Sequence, residues 1–180
     1  ITKDEENAMK DNLPEYLFHQ GTNFKTYEYL GSHFIKYNGK NGVMFRVWAP
    51  NADEVSLVGD FNDWNPDADI MKKNDGGIWE LFKENLKEYD AYKYAVRAND
   101  KIVFKADPYA YHAETTPATA SKIYNLDGFV WSDWEFVRNR DAYGSHNKPI
   151  NIYEVNLLSF MKKSDGNYFS YRELATVLVD

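Results

Sequence analysis

Apolar and polar residues alternate with a period of two through most of the chain between residues 33 and 126. Period-2 alternation bounded by Gly, Pro, Asn and Asp is the mark of a half-buried strand. The pattern is clearest over residues 43–65, VMFRVWAPNADEVSLVGDFNDWN. Val43, Phe45 and Val47 fall on one face, and Met44, Arg46 and Trp48 on the other. Residues 49–53 (APNAD) are turn formers, Val55 and Leu57 resume the pattern, and GDFNDWN closes it. This predicts an antiparallel pair, 43–48 with 54–61. Further strands are expected at 33–37, 78–83, 91–98, 102–106 and 121–126. Asn38-Gly39, Asn74–Gly77 and Asn99-Asp100 supply turns between them. In 91–98, Tyr92, Tyr94 and Val96 share one face while Lys93 and Arg97 take the other. About seven or eight short strands with no helical pattern between them predict an all-β, immunoglobulin-like antiparallel sandwich.

The flanks read differently. Residues 1–12 are polar and charged and are expected to be loosely ordered. Residues 13–31 carry two helical turns, with Pro14 near the first and Gly21 and Gly31 as stops. They are expected to form a lid on the following domain, giving an N-terminal helical extension over 1–32. After 126 the alternation fades. Residues 127–149 are expected to be a linker, with Trp131, Trp134 and Phe136 as apolar anchors and a charged run before Pro149. Residues 150–155 (INIYEV) are expected to form a buried strand. A turn at 164–167 follows, and then a helix with a capping box, Ser170 and Glu173. A strand and helix of about 30 residues cannot bury their own faces, so 150–180 is expected to be the truncated start of a second domain.

Charge and composition narrow the function. The 180 residues hold 21 Lys and Arg against 28 Asp and Glu, a net charge of −7, with no local basic patch. Nucleic acid and anionic membranes are poor partners for such a chain. With no cysteine, there is no disulfide framework and no Cys-based metal site, which suits the cytoplasm. No apolar run approaches the ~18 residues of a membrane span. No signal peptide opens the chain, which begins at Ile1 rather than Met, so the natural start is expected to lie upstream. His19, His33, His112 and His146 have no metal-ligand spacing, and no cofactor is expected. Asp60 and Asp63 are the one suggestive carboxylate pair, but Asp is favoured in such a turn and no catalytic role follows. Trp64 is the unusual residue: an indole among Asn and Asp side chains suits a sugar, with its ring on C–H groups and its neighbours on hydroxyls. Capping of the sandwich edge by Trp64 is the alternative.

Residues 43–65, with FRVWAPNA and GDFNDWN, resemble the N-terminal module of 1,4-α-glucan branching enzymes. So do YLFHQGTNFKTYEYLG at 16–31, KADPYA at 105–110, ATASKIYNL at 118–126, IYEV at 152–155 and SYREL at 170–174. The first two motifs alone would fit debranching relatives; the combination is more specific to branching enzymes. The resemblance implies a family-48 carbohydrate-binding module of early-set, immunoglobulin-like fold over 33–126. It also implies that 150–180 begins the (β/α)8 barrel of the α-amylase superfamily, whose catalytic Asp, Glu and Asp lie on later strands. No catalytic residue is therefore assigned. The α-1,4-glucan would be a ligand, the chain's own barrel a partner, and glycogen biosynthesis the setting. Sugar contacts carry over to Trp64, Lys93, Phe104, Thr119 and Ser121. Phe104 stands where the family has a Trp and Ser121 where it has an Asn. Residues 155–160 read VNLLSF where the family usually has VHLGSW. A free-standing glucan-binding module and a purely structural sandwich are the other readings. Residues 150–180 argue against the first; Trp64 and Lys93 argue against the second.

Overall fold

A computed structural model describes residues 13–143, 149 and 151–178. The expectations for residues 1–12, His146 and Ile150 lie outside them. The chain divides between Phe129 and Val130 into two compact units.

In the first unit, the strands are β1 (Gly31–Tyr37), β2 (Lys40–Trp48), β3 (Glu54–Gly59), β4 (Lys72–Lys73), β5 (Ile78–Glu84), β6 (Ala91–Ala98), β7 (Lys101–Lys105), β8 (His112–Ala113) and β9 (Ser121–Lys122). Among the described residues they form two antiparallel sheets. One runs β1-β2-β5-β4; the other runs β3-β6-β9-β8, with β7 also paired to β6. Two-residue turns close the β1–β2 and β6–β7 hairpins. Asn38-Gly39 and Asn99-Asp100 have positive φ at both positions, the geometry whose twist matches paired strands.

The turn after β2 does something other than expected. β2 and β3 do not pair: β2 lies between β1 and β5, and β3 lies against β6 in the other sheet. Residues 49–53 are thus a crossover between layers. The Trp79 indole N–H donates to Ala49 O at 2.9 Å, and Asp53 N donates to Arg97 O at 2.9 Å, fastening one end to each sheet. The alternation did mark the buried faces. Val43, Phe45 and Val47 meet Val55 and Leu57 across the core, together with Met71, Trp79, Tyr92, Tyr94 and Ile123. Fully burying one such side chain contributes about 1.5–3 kcal/mol. The last strand is also shorter than expected. Only Ser121–Lys122 is strand, and beyond it Ile123 is buried.

Helix α1 (Leu13–His19) and a 3-10 turn at Thr26–Glu28 cover the outer face of the first sheet. Phe18 meets Trp48 edge-on at 5.6 Å, and the Arg46 guanidinium sits 4.7 Å from the Tyr29 ring centre. Asn74 Nδ2 donates to Glu15 Oε2 at 2.9 Å. Met44, outward by the alternation of β2, is only 4% exposed.

The second unit contains α2 (Trp134–Tyr143), α3 (Leu157–Phe160) and α4 (Tyr171–Leu178). The capping box forms: Ser170 N donates to Glu173 Oε2 at 2.8 Å, and Glu173 N donates to Ser170 Oγ at 3.3 Å. Leu174, at the helical spacing read from the sequence, is 2% exposed. The expected strand at 150–155 is not seen over 151–155, which are irregular. A strand needs a ladder to satisfy its backbone, and among the described residues the second unit's β-bridge, Lys162 to Tyr168, belongs to the 164–167 turn. Trp131, Trp134 and Phe136, expected as anchors, are mostly exposed.

Candidate ligand-binding face

The loop GDFNDWN leaves the end of β3, and Asp60 and Asn62 within it have structural tasks. Gly59 lies so close to β6 that a Cβ there would stand 2.3 Å from Ala91 O and 2.4 Å from Phe61 Cε1. Only glycine permits that approach. Asp60–Asn62 then make a 3-10 turn. Asn62 pins it: Oδ1 accepts from Gly59 N at 3.0 Å, and Nδ2 donates to Leu57 O at 2.9 Å and Asp69 Oδ2 at 2.6 Å. Asp69 in turn holds Lys83 Nζ at 2.8 Å, and Phe61 packs on the core. Asp63 and Trp64 both take left-handed backbone conformations, φ +55° and +56°. Trp64 N donates back to Gly59 O at 3.0 Å. The half-buried indole donates its N–H to Asp60 Oδ1 at 2.8 Å. Asp60 is therefore a hydrogen-bond acceptor for Trp64, and sequence reading that treated it as a turn former missed that task. Its position four residues before Trp64 was the available signal.

The other expected residues follow from register. Val58 pairs with Lys93, and Gly59 with Tyr92. Because Tyr92 and Tyr94 fill the core, Lys93 and Ala95 face outward. Phe104 on β7 pairs with Ala95, so it shares that outer face, and it is 47% exposed. Lys93 Nζ donates to Thr119 Oγ1 at 2.7 Å. The second sheet thus places Lys93 at the centre, the Trp64 loop on the β3 side, and Phe104 and Thr119 beyond β6.

Ser121 is the exception. It pairs with Tyr92 and shares its inward face. It is 1% exposed, and its Oγ accepts from Asp107 N at 2.8 Å. It cannot offer a polar contact at the outer surface, contrary to expectation. Thr119 and Ser121 would share a face in a continuous strand, but Thr119 precedes β9 and the alternation does not reach it.

Ser121 instead belongs to a buried hub. Asp107, 6% exposed, accepts from the Tyr92 hydroxyl at 2.7 Å and the Tyr94 hydroxyl at 3.1 Å on Oδ2, and from Tyr109 N at 2.8 Å on Oδ1. Burial pushes the Asp107 carboxyl above the ordinary carboxylate range. The bonds from Tyr92, Tyr109 N and Tyr94, and the nearby His33, hold it back. Burial and the Asp107 charge push both tyrosine hydroxyls upward. The hub fastens the chain three residues after Phe104 to β6, which supports Phe104 on the outer face. The sequence showed Asp107-Pro108 only as a strand end.

A phenyl ring, an ammonium and a hydroxyl on the outer side of one sheet, with the loop that carries an indole at the β3 side, can meet a ligand with apolar C–H patches and many hydroxyls. Residues 29–110 match the family model described as carbohydrate-binding module 48 (isoamylase N-terminal domain). The chain is also 46% identical over 179 residues to the 1,4-alpha-glucan branching enzyme GlgB of Halothermothrix orenii, and 45% identical over 166 residues to that of Bacillus subtilis. The chain matches the N-terminal region of 1,4-α-glucan branching enzymes. These alignments cover 96% and 91% of this chain and 28% and 26% of the relatives, so it spans about a quarter of their length. Among solved structures, pullulanase from Bacillus acidopullulyticus is 30% identical. That match covers 59% of this chain and 13% of the other at a TM-score of 0.46, a likeness too partial to transfer geometry. Among the described residues no helix is long and apolar enough to cross a membrane.

Proposed function

We propose that this chain is the N-terminal part of a glycogen branching enzyme, and that the outer face of its second sheet binds α-1,4-glucan. On this reading residues 33–126 form an early-set immunoglobulin-like module, with 127–149 as a linker. Residues 150–180 begin the catalytic barrel. The parent enzyme cuts an α-1,4-glucan, carries the segment as a covalent glycosyl-enzyme, and transfers it to a 6-hydroxyl. No catalytic residue is assigned to this chain. It supplies the module that holds and orients the glucan, in the cytoplasm. Trp64 stacks on a sugar ring, Lys93 and Thr119 reach hydroxyls, and Phe104 offers a second, smaller platform. The observation that carries the reading is the placement of Lys93 and Thr119, 2.7 Å apart, on the same outer face as Phe104 and beside the Trp64 loop.

A structural sandwich that orients the barrel without binding sugar is the second reading. It is favoured by the inward Ser121 and by a phenyl rather than an indole at 104. Titration with maltoheptaose, followed by tryptophan fluorescence, separates the two. The chain should show a saturable change, and Trp64→Ala should abolish it. No saturable change would favour the structural reading, and a change that survives Trp64→Ala would move the site elsewhere. In an iodine-stained branching assay on amylose, the chain alone should leave the colour unchanged.

A further inference from the structure

We propose that Asp60 is a positioning residue for glucan binding: it fixes the plane of the Trp64 indole so that the ring face alone meets the sugar. The inference rests on the glucan reading of this face. An indole on a loop has two free side-chain torsions, and stacking on a sugar requires one plane to be held. Here the Nε1–H donates to Asp60 Oδ1 at 2.8 Å. The acceptor is a carboxylate, so the bond is charge-assisted and short. The backbone of Asp60 is fastened, because it opens a 3-10 turn whose last residue, Asn62, is bonded to Gly59, Leu57 and Asp69. The backbone is fixed at the other end by the left-handed Asp63 and Trp64 and by Trp64 N on Gly59 O. Among the described ion pairs none uses Asp60, and its carboxylate serves the indole. The same bond occupies the ring's single donor. The sugar therefore meets Trp64 through C–H contacts, and discrimination among hydroxyls falls to Lys93 and Thr119.

The test is a double-substitution cycle on the chain, read as the dissociation constant for maltoheptaose. Freeing one rotamer-rich side chain corresponds to a loss of about three- to tenfold, and Asp60→Ala should show it. Asp60→Asn keeps an oxygen acceptor and should stay within about twofold of the parent on the same scale. In a Trp64→Phe background, which has no indole N–H, Asp60→Ala should have no further effect. A loss that persists in that background would mean that Asp60 touches the sugar directly, and would overturn the proposal. So would Asp60→Ala binding as well as the parent chain. A readout without sugar separates this proposal from the glucan reading. The Trp64 indole N–H resonance should shift, and exchange with solvent faster, in Asp60→Ala but not in Asp60→Asn. If that holds while no variant binds maltoheptaose, the glucan reading fails and the indole-fixing bond stands. If the resonance is unmoved, the positioning claim fails even if Trp64 binds glucan.

Discussion

Removing the Asp107 carboxylate should be among the costliest single substitutions outside the apolar core. In Asp107→Ala, the hydroxyls of Tyr92 and Tyr94 and the Tyr109 N–H lose their acceptor. Both tyrosines are fully buried, so water cannot readily replace it. Leaving a buried donor unpaired costs about 1–3 kcal/mol each. Relief from burying a carboxylate, itself worth several kcal/mol in full, offsets part of the sum. The Asp107 N–H keeps its bond to Ser121 Oγ, since alanine retains the backbone. A net loss of roughly 2–4 kcal/mol follows. At about 4 °C per kcal/mol for a domain of this size, the Tm should fall by about 8–16 °C. The pH dependence carries a second signature. Burial raises the folded-state pKa of Asp107 above its unfolded value, so folding tightens its hold on a proton. Its stabilising contribution is thus greatest below the unfolded value of about 3.9 and is lost as pH rises through the folded value. The stability gap between parent and Asp107→Ala should therefore widen as pH falls from 7 towards 4. Urea denaturation at several pH values measures it. A gap under about 1 kcal/mol at every pH, or one that widens as pH rises, would refute the hub.

Three further outcomes are expected. Gly59→Ala should destabilise the first unit by about 2 kcal/mol in urea denaturation, because its Cβ would meet the Ala91 carbonyl at 2.3 Å; full stability would mean the β3–β6 approach is looser than described. Lys93→Met should weaken maltoheptaose binding about tenfold, the worth of one hydrogen bond to a charged group at about 1.5 kcal/mol, without moving the Tm. Glu173 is held down to about 2 by Lys163 Nζ and by the Ser170 N–H and hydroxyl. Its contribution to α4 should be full above its unfolded value of about 4.3 and should disappear as pH falls through about 2. Amide exchange across α4 reads that window, and in Ser170→Ala the helix should already be less protected at neutral pH.

The sequence made faces legible more readily than partners. Alternation in Val43-Phe45-Val47 and in Val55-Leu57 identified inward positions, because side-chain direction is local. It could not say that the two runs belong to opposite sheets, because both arrangements bury the same residues. Hairpins joined by Asn38-Gly39 and Asn99-Asp100 were readable because the turn chemistry itself requires positive φ. Burial of polar groups was not readable. Asp107 looks like an ordinary strand end, and Ser121 like a strand residue turned to a ligand, until Tyr92 and Tyr94 are seen to converge on one carboxylate. The outward Lys93 followed from its neighbours, whereas its bond to Thr119 required the fold. Residues 151–155 show the limit of an apolar run: it reads as a buried strand, yet the segment is irregular and Ile152 and Tyr153 are 89% and 77% exposed.

The claim that the outer face of the second sheet binds glucan is tested most directly by NMR titration of the isotopically labelled chain with maltoheptaose. Chemical-shift changes should concentrate on the 59–64 loop, Lys93, Phe104 and Thr119, and should be absent in Trp64→Ala. Changes confined to other surfaces, or none at saturating sugar, would contradict it.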